Sequence, residues 1–280
     1  MAESLFSVRS LRVTVPDMTR KPLFGPAPRL EILGGVSFDV ARGAVLGIVG
    51  GSGSGKTTLG RALVRLIEPS AGGILFDGRD ITHLDDAAMR PLRRRIQMIF
   101  QDPMSSLNPR LTVGRIIAAP LGARAGDPRV AEALDQVGLP QSFARRYPHE
   151  LSGGQRQRVG IARAVAMRPD FILADEIVSG LDVSTQAQVL NLLSRLVSDL
   201  GLTLAFISHD LSVIRRLCDR VLVMRAGVIV EDATAAQAFE HPSHDYTREL
   251  LAAIPTPDPS VRWGRPPAKA GEMSAASRKP

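Results

Sequence analysis

Apolar and polar residues alternate over the first ~15 positions ("FSVRSLRVTV"), the period of a strand with one face exposed. The next stretch, "PDMTRKPLFGPAP", carries four prolines and predicts a loop. "VSFDV" and "AVLGIVG", parted by "ARG", predict two strands joined by a glycine turn. In "GKTTLGRALVRLI" the spacing puts Leu59, Leu63 and Leu66 or Ile67 on one helical face, and Glu68–Pro69 predicts the stop. From about residue 85 to 168 the pattern changes to arginine-studded, helix-spaced segments with few strand signals, which predicts an inserted helical subdomain.

Strand signals return in two short apolar runs, "FILA" (Phe171 to Ala174) and "LTLAFIS" (Leu202 to Ser208). Between them, "QAQVLNLLSRLVSDL" reads as an amphipathic helix closed by Gly201, a position suited to a left-handed cap. "RVLVM" and "VIVED" predict a late hairpin about "RAG". Strands alternating with helices imply an α/β fold with a largely parallel sheet. Beyond Pro255 the chain is rich in Pro, Ser, Ala and Lys, and residues 256–280 read as a mostly unstructured tail.

Composition narrows the classes. The chain has 280 residues, 44% hydrophobic, enough for a core in one large domain or two small ones. Its one cysteine, Cys218, excludes a disulfide framework or a cysteine-ligated cluster and fits a reducing compartment. No apolar run approaches the roughly 18 residues that cross a bilayer, and "MAESLFSVRS" lacks the layout of a signal peptide. A soluble, cytoplasmic protein is expected, with any membrane role exerted through a partner. The net charge is +7, and only four of the 35 basic residues are lysines (Lys21, Lys56, Lys269, Lys279). That balance suits anionic partners such as nucleotides, and equally a solvated, arginine-rich surface. Without an RNA-binding aromatic cluster, zinc-finger spacing or a basic heptad region, nucleic acid is not an expected partner.

"GGSGSGKTT" (Gly50 to Thr58) matches G-x-x-x-x-G-K-[ST] through Gly50, Gly55, Lys56 and Thr57, after an apolar strand and before a helix. The bare backbone of Gly50, Gly51, Ser52, Gly53, Ser54 and Gly55 lets successive N–H groups converge on a phosphate, backed by the dipole of the helix that follows. Lys56 supplies a compact charge between β- and γ-phosphates, and Thr57 a hydroxyl for Mg²⁺. "FILADE" sets Asp175 and Glu176 at the C-terminal end of a buried strand, the rim where open α/β sheets bind ligands. An aspartate there can hold Mg²⁺ through water, and the glutamate can orient and deprotonate an attacking water. Alone, the pair also reads as charge at a helix N-terminus.

"ISHD" puts His209 at the end of the neighbouring strand, within reach of a γ-phosphate, whereas His83, His149, His241 and His244 read as surface or satisfied residues. "MIFQDP" offers Gln101, an uncharged group able to touch both Mg²⁺ and the water. Ser152, Gly153 and Gly154, followed by Gln155, open a Gln/Arg-rich helix and so form a second phosphate-type N-terminus. The arginines behind it (Arg156, Arg158, Arg163) read mostly as solvated helix face.

Taken in order, "GGSGSGKTT", "FQDP", "LSGGQ", "FILADE" with "SGLD", and "ISHD" resemble the nucleotide-binding subunit of ATP-binding cassette (ABC) transporters over about residues 5–255. "RRIQMIFQDPMSSLNPRLTV", "VSGLDVSTQAQVLNLL" and "HPSHDYTRELLAAIP" resemble the oligopeptide/dipeptide/nickel importer branch. The resemblance implies a P-loop NTPase (RecA-like) parallel-sheet core at about 5–84 and 169–240, with an N-terminal antiparallel β subdomain. It further implies an α-helical subdomain at about 85–168 carrying LSGGQ, and an importer-type C-terminal segment at 241–255.

ATP and Mg²⁺ are the implied cofactors. Glu176 is then the general base, His209 the γ-phosphate contact and Gln101 the sensor of the site. Thr57, Gln101 and Asp175 serve Mg²⁺. Ser152, Gly153, Gly154, Gln155 and Asp182 would complete a nucleotide site on a second, homologous ATPase subunit, in a head-to-tail heterodimer. The implied setting is the cytoplasmic face of a bacterial inner membrane, with two integral-membrane permease subunits and an extracytoplasmic solute-binding protein. Peptides lead the candidate cargoes, followed by nickel or its chelates, then opines or glutathione-like conjugates. The rival is a non-transport ABC ATPase such as a carbon–phosphorus lyase accessory subunit. The chain departs from the family pattern at Ile177 (usually Pro), Gly180 (usually Ala) and Asp245 (usually Pro). Phe24 is the one candidate for stacking on adenine, with loop packing as its other reading.

Overall fold

The computed structural model describes residues 3–22 and 25–253, so Phe24 and the 256–280 tail lie outside the described residues. β1 (Ser4–Pro16) and β2 (Arg29–Ala41) lead to β3 (Val45–Val49), α1 (Lys56–Leu63), β4 (Ala71–Phe76) and β5 (Arg79–Asp80). Two short helices, α2 (Asp86–Met89) and α3 (Leu92–Arg95), precede β6 (Ile96–Ile99). A helical stretch follows: α4 (Pro103–Ser106), α5 (Val113–Ala118), α6 (Pro128–Gln136) and α7 (Gly153–Val165). The chain then runs through β7 (Phe171–Asp175), α8 (Val183–Leu200), β8 (Thr203–Ile207) and α9 (Leu211–Leu217). β9 (Arg220–Arg225), β10 (Val228–Thr234), α10 (Ala235–Glu240) and α11 (Asp245–Ala252) complete it.

The strands form two sheets. One is antiparallel, in the order β2-β1-β4-β5; the other has the order β10-β9-β3-β8-β7-β6, parallel except for β10. The α/β class and the antiparallel subdomain are as expected. The central strands show no polar alternation in sequence because both of their faces are covered. The pleat sorts them all the same. Val45, Val49, Ile172, Ala174, Leu204 and Phe206 enter the core on the helical side. Leu46, Ile48, Phe171, Leu173, Ala205 and Ile207 enter the core shared with α1 and the antiparallel sheet. Each fully buried Leu, Ile or Phe contributes about 1.5–3 kcal/mol relative to exposure.

Two local readings change. The stretch from residue 85 is not purely helical, since β6 lies inside it at the edge of the parallel sheet. Helix α1 also stops sooner than the spacing predicts. It ends at Leu63, and Arg65 turns left-handed (φ 56°). The Arg65 guanidinium donates to the carbonyls of Ile81 (2.8 Å) and Leu84 (3.2 Å), which draws the chain away from the helix axis. Leu66 consequently leaves the helix and is 50% exposed.

A ring of four charges fastens the two sheets together. Arg42 contacts Asp77 at 2.5 Å and Asp170 at 3.3 Å, and Arg95 contacts the same two carboxylates at 2.5 Å each. Arg95 also lies 5.0 Å over the Phe76 ring.

Candidate active site

Parallel pairing brings the carboxyl ends of β3, β7 and β8 side by side. The glycine loop leaves β3 at that rim and enters α1. Its first residue admits no side chain: a Cβ on Gly50 would stand 2.2 Å from the Met224 carbonyl oxygen. The Gly227 N–H holds the loop from the far side by donating to Ser54 O at 3.0 Å. Inside the loop Lys56 is 6% exposed, and its Nζ donates to Gly50 O (2.9 Å) and Gly51 O (2.8 Å). Burial pushes the ammonium's pKa down, against the pull of Glu176 and Asp175. A buried cation whose hydrogen-bond partners are neutral oxygens gains charge compensation from a polyphosphate, so the cradle fits one.

Behind the loop, Thr57 Oγ1 lies 3.4 Å from Asp175 Oδ1. Asp175 is 3% exposed, and burial raises its pKa while the positive charge of Arg61 opposes that rise. Among the described residues no group of three or more His, Cys, Asp or Glu stands ready for a metal ion. A hydroxyl and one carboxylate are only part of a shell. They suit Mg²⁺, which keeps water and phosphate oxygens as its other ligands.

Glu176 adopts a left-handed backbone (φ 49°), which costs a non-glycine residue about 1–3 kcal/mol. The turn is held by Glu176 N–H donating to Ile207 O (3.0 Å) and by Ser179 Oγ donating to Glu176 O (2.7 Å). This sharp exit from β7 directs the carboxylate to the rim. There Gln101 Nε2 donates to Oε2 at 3.1 Å and His209 Nδ1 lies 3.6 Å from Oε1. Such a carboxylate, set between an amide and an imidazole, can orient a water and accept its proton.

The family departures also find reasons. Ile177 is 1% exposed and fills the helical-side core where a proline is usual, and Gly180 sits at φ 77°, which glycine adopts without strain. Asp245 opens α11, a position that suits an acidic residue as well as a proline.

The second phosphate-type N-terminus is built by a capping box. Ser152 Oγ accepts from Gln155 N (3.3 Å), and Gln155 Oε1 accepts from Ser152 N (3.0 Å). Ser152 and Gly153 are exposed at the head of α7. This end abuts α8: Gly154 faces Thr185, whose N–H (2.9 Å) and hydroxyl (2.7 Å) both donate to Asp182. Those bonds hold the Asp182 carboxyl down at a pKa of about 2. Gly50–Thr58, Asp175, Glu176, Gln101 and His209 thus gather at one rim, while Ser152–Gln155 gathers with Asp182.

The arginines of α7 are not the solvated face that the sequence implies. They are half-buried and staple the helical subdomain, as Arg156 donates to Pro148 O (2.8 Å), Arg158 to Val137 O (2.9 Å) and Arg163 to Ser106 O (2.7 Å). One contact has no forerunner in the sequence reading: Gly51 N–H donates to Tyr246 Oη at 2.9 Å. The only available signal is that Tyr246 falls within "HPSHDYTRELLAAIP".

Residues 33–179 match the family described as ABC transporter. The chain is 56% identical over 242 residues to a protein named as a peptide import ATP-binding protein of Brucella ovis, covering 84% of this chain and 76% of the relative. It is 52% identical over 233 residues to a glutathione import ATP-binding protein of Pectobacterium atrosepticum, covering 81% of this chain and 37% of that relative. Among solved structures it is similar to the dimeric ATP-binding cassette MJ0796 in a post-hydrolysis state with ADP and Pi. There the TM-score is 0.72 and the identity 30%, over 82% of this chain and 98% of that one. It is also similar to CbiO1 from Clostridium perfringens, part of an ABC transporter complex, with a TM-score of 0.73 and 26% identity over 90% and 96% of the two chains. The family match spans the glycine loop, the capped N-terminus of α7 and the acidic rim, and the chain belongs to the ABC transporter family as one of its ATP-binding, ATP-hydrolysing cassettes.

Proposed function

We propose that this chain is the ATPase subunit of a peptide importer, working head to tail with a homologous ATPase subunit. The carrying observation is that the exposed N-terminus of α7 packs on Thr185 beside Asp182, which caps α8, while the glycine loop packs against Met224, Gly227 and Tyr246. Two half-sites with different neighbours call for a second cassette to complete each. In this reading Lys56 and the Gly50–Gly55 backbone hold the phosphates of ATP. Thr57, Asp175 and Gln101 would hold Mg²⁺, which supplies positive charge to the β- and γ-phosphates. Glu176 takes the proton from the attacking water, and His209 contacts the γ-phosphate. Ser152, Gly153, Gly154, Gln155 and Asp182 serve the nucleotide carried by the partner ATPase.

Coupling would run through a groove of about 430 Å³ between the sheet core and the helical subdomain, lined by Leu66, Met98, Phe100, Ile116 and Arg163. Among the described residues no helix is long and apolar enough to cross a membrane. The groove is assigned to a short helix of a permease subunit, which would tether this chain to the cytoplasmic face of the inner membrane. An extracytoplasmic binding protein would deliver the solute to that permease. Peptide cargo is supported by the name of the Brucella relative, and glutathione-like peptides, as a second reading, by that of the Pectobacterium relative.

The test is Glu176→Gln in the purified transporter complex. ATP binding is retained, hydrolysis falls about 10²–10⁴-fold, and a closed pair with the partner ATPase accumulates. Hydrolysis at the wild-type rate would remove Glu176 as the base. In the wild-type complex, peptide-loaded binding protein stimulates ATP hydrolysis. Co-purification with soluble enzymes alone would sink the importer reading.

A further inference from the structure

The contact between Tyr246 and Gly51 has no part in the reaction proposed above, yet it reaches the nucleotide loop itself. The Gly50–Gly51 peptide unit is gripped at both ends. Its N–H donates to Tyr246 Oη at 2.9 Å, and its carbonyl oxygen accepts from Lys56 Nζ at 2.9 Å. Tyr246 and Lys56 therefore share one peptide plane, and rotating that plane breaks both bonds and leaves Lys56 held by Gly51 O at 2.8 Å.

Tyr246 is itself held in place from several directions. The buried carboxylate of Glu231 on β10 accepts from the N–H groups of Ser243 (2.8 Å) and His244 (3.2 Å), which anchors the turn into α11. His244 then caps that helix, its Nδ1 accepting from Tyr246 N at 3.0 Å. The Arg225 guanidinium lies 4.8 Å over the Tyr246 ring. Arg225 directly follows Met224, whose carbonyl bars a side chain at Gly50. Leu250 and Leu251 pack beside Val49, at the end of the strand that launches the loop. The C-terminal segment is thus clamped to the core, and a single hydroxyl passes the clamp on to the loop.

We propose that Tyr246 is a positioning residue for the nucleotide loop, fixing the Gly50–Gly51 peptide plane and through it the resting place of the Lys56 ammonium. The inference rests on the loop's role in binding ATP. Its consequence lies in affinity: Tyr246 acts on the ground-state cradle and touches neither Glu176, Gln101 nor His209.

Tyr246→Phe removes the oxygen and keeps the ring. In the full-length chain titrated with Mg²⁺·ATP, loss of one such bond raises the dissociation constant about threefold to tenfold. In the transporter complex, KM for ATP rises in parallel, while kcat at saturating ATP stays within about twofold of wild type, the pattern of lost uniform binding. A second variant checks the geometry. A Cβ on Gly51 would stand 2.9 Å from Tyr246 Oη, and the backbone of Gly51 is outside the left-handed region. Gly51→Ala therefore weakens ATP binding more in the wild-type background than beside Tyr246→Phe, where the obstructing oxygen is gone. Wild-type affinity in Tyr246→Phe would overturn the proposal, as would effects of the two substitutions that simply multiply. Failure of the wild-type chain to bind ATP at all would overturn the nucleotide reading as well.

Discussion

Gly154→Ala tests the packing that joins the head of α7 to α8. In a helix, alanine is favoured over glycine by about 0.5–1 kcal/mol, so propensity alone makes this substitution stabilising. Its new Cβ, however, would stand 2.5 Å from Thr185 Cγ2. Carbon atoms pack at about 3.5–4.0 Å, so Thr185 must retreat by about 1 Å. It is poorly free to do so, because its N–H and hydroxyl are both committed to Asp182, at 2.9 and 2.7 Å. Overpacking of this kind costs about 1–3 kcal/mol. The clash wins, and the expected net destabilisation is about 1 kcal/mol.

Thr185→Ser removes the offending methyl and retains the hydroxyl that bonds Asp182. Beside it, Gly154→Ala recovers the sign of its propensity and stabilises by about 0.5–1 kcal/mol. Denaturant and thermal unfolding of the four chains give the coupling directly, and a shift of roughly 2–4 °C per kcal/mol is readable. If Gly154→Ala stabilised the wild-type chain as much as the Thr185→Ser chain, the close approach would not exist and the reasoning would fail.

Arg95→Ala opens the four-charge ring and removes the cation over Phe76; about 1–2 kcal/mol of stability is expected to go, more at low salt than at high. The hydrogen bond from Arg95 holds the Asp77 carboxyl below its ordinary value of 3.8, so its stabilising share is present above that pH and lost as pH falls through the lower folded value. The gap between the melting temperatures of wild type and Arg95→Ala should therefore narrow in strong acid to the share that Arg95 contributes over Phe76; a gap that does not narrow would refute the assignment. Leu66→Asp charges an exposed rim of the groove and leaves the core intact. Membrane co-sedimentation with the permease falls while ATP binding by the free subunit is unchanged, and undiminished co-sedimentation would remove the groove as the docking surface.

Much of the site was legible because its chemistry is local. The glycine loop needs bare backbone between a strand and a helix, and the capping box needs Ser152 and Gln155 three positions apart; both are spacings along the chain. β3, β7 and β8 were legible for a related reason, since strands covered on both faces read as uninterrupted apolar runs. β6 was not. Its four residues, Ile96–Ile99, follow a run of arginines, and what makes them a strand is the ladder to β7. Leu66 misled for the opposite reason: its spacing is helical, but Arg65 bonds carbonyls more than ten positions away and ends the helix first.

Sequence therefore settled which groups are present, the α/β class and the family, because these depend on residue type and short-range period. Folding settled what those groups do to one another. The left-handed turn at Glu176 becomes tolerable only when Ile207 and Ser179 hold it. The α7 arginines become staples only when the carbonyls of Pro148, Val137 and Ser106 arrive beside them. Tyr246 reaches Gly51 across 195 positions of sequence, because the buried carboxylate of Glu231 turns α11 back onto the end of β3. No periodicity records such contacts, since they arise between segments whose separation in sequence bears no relation to their separation in space.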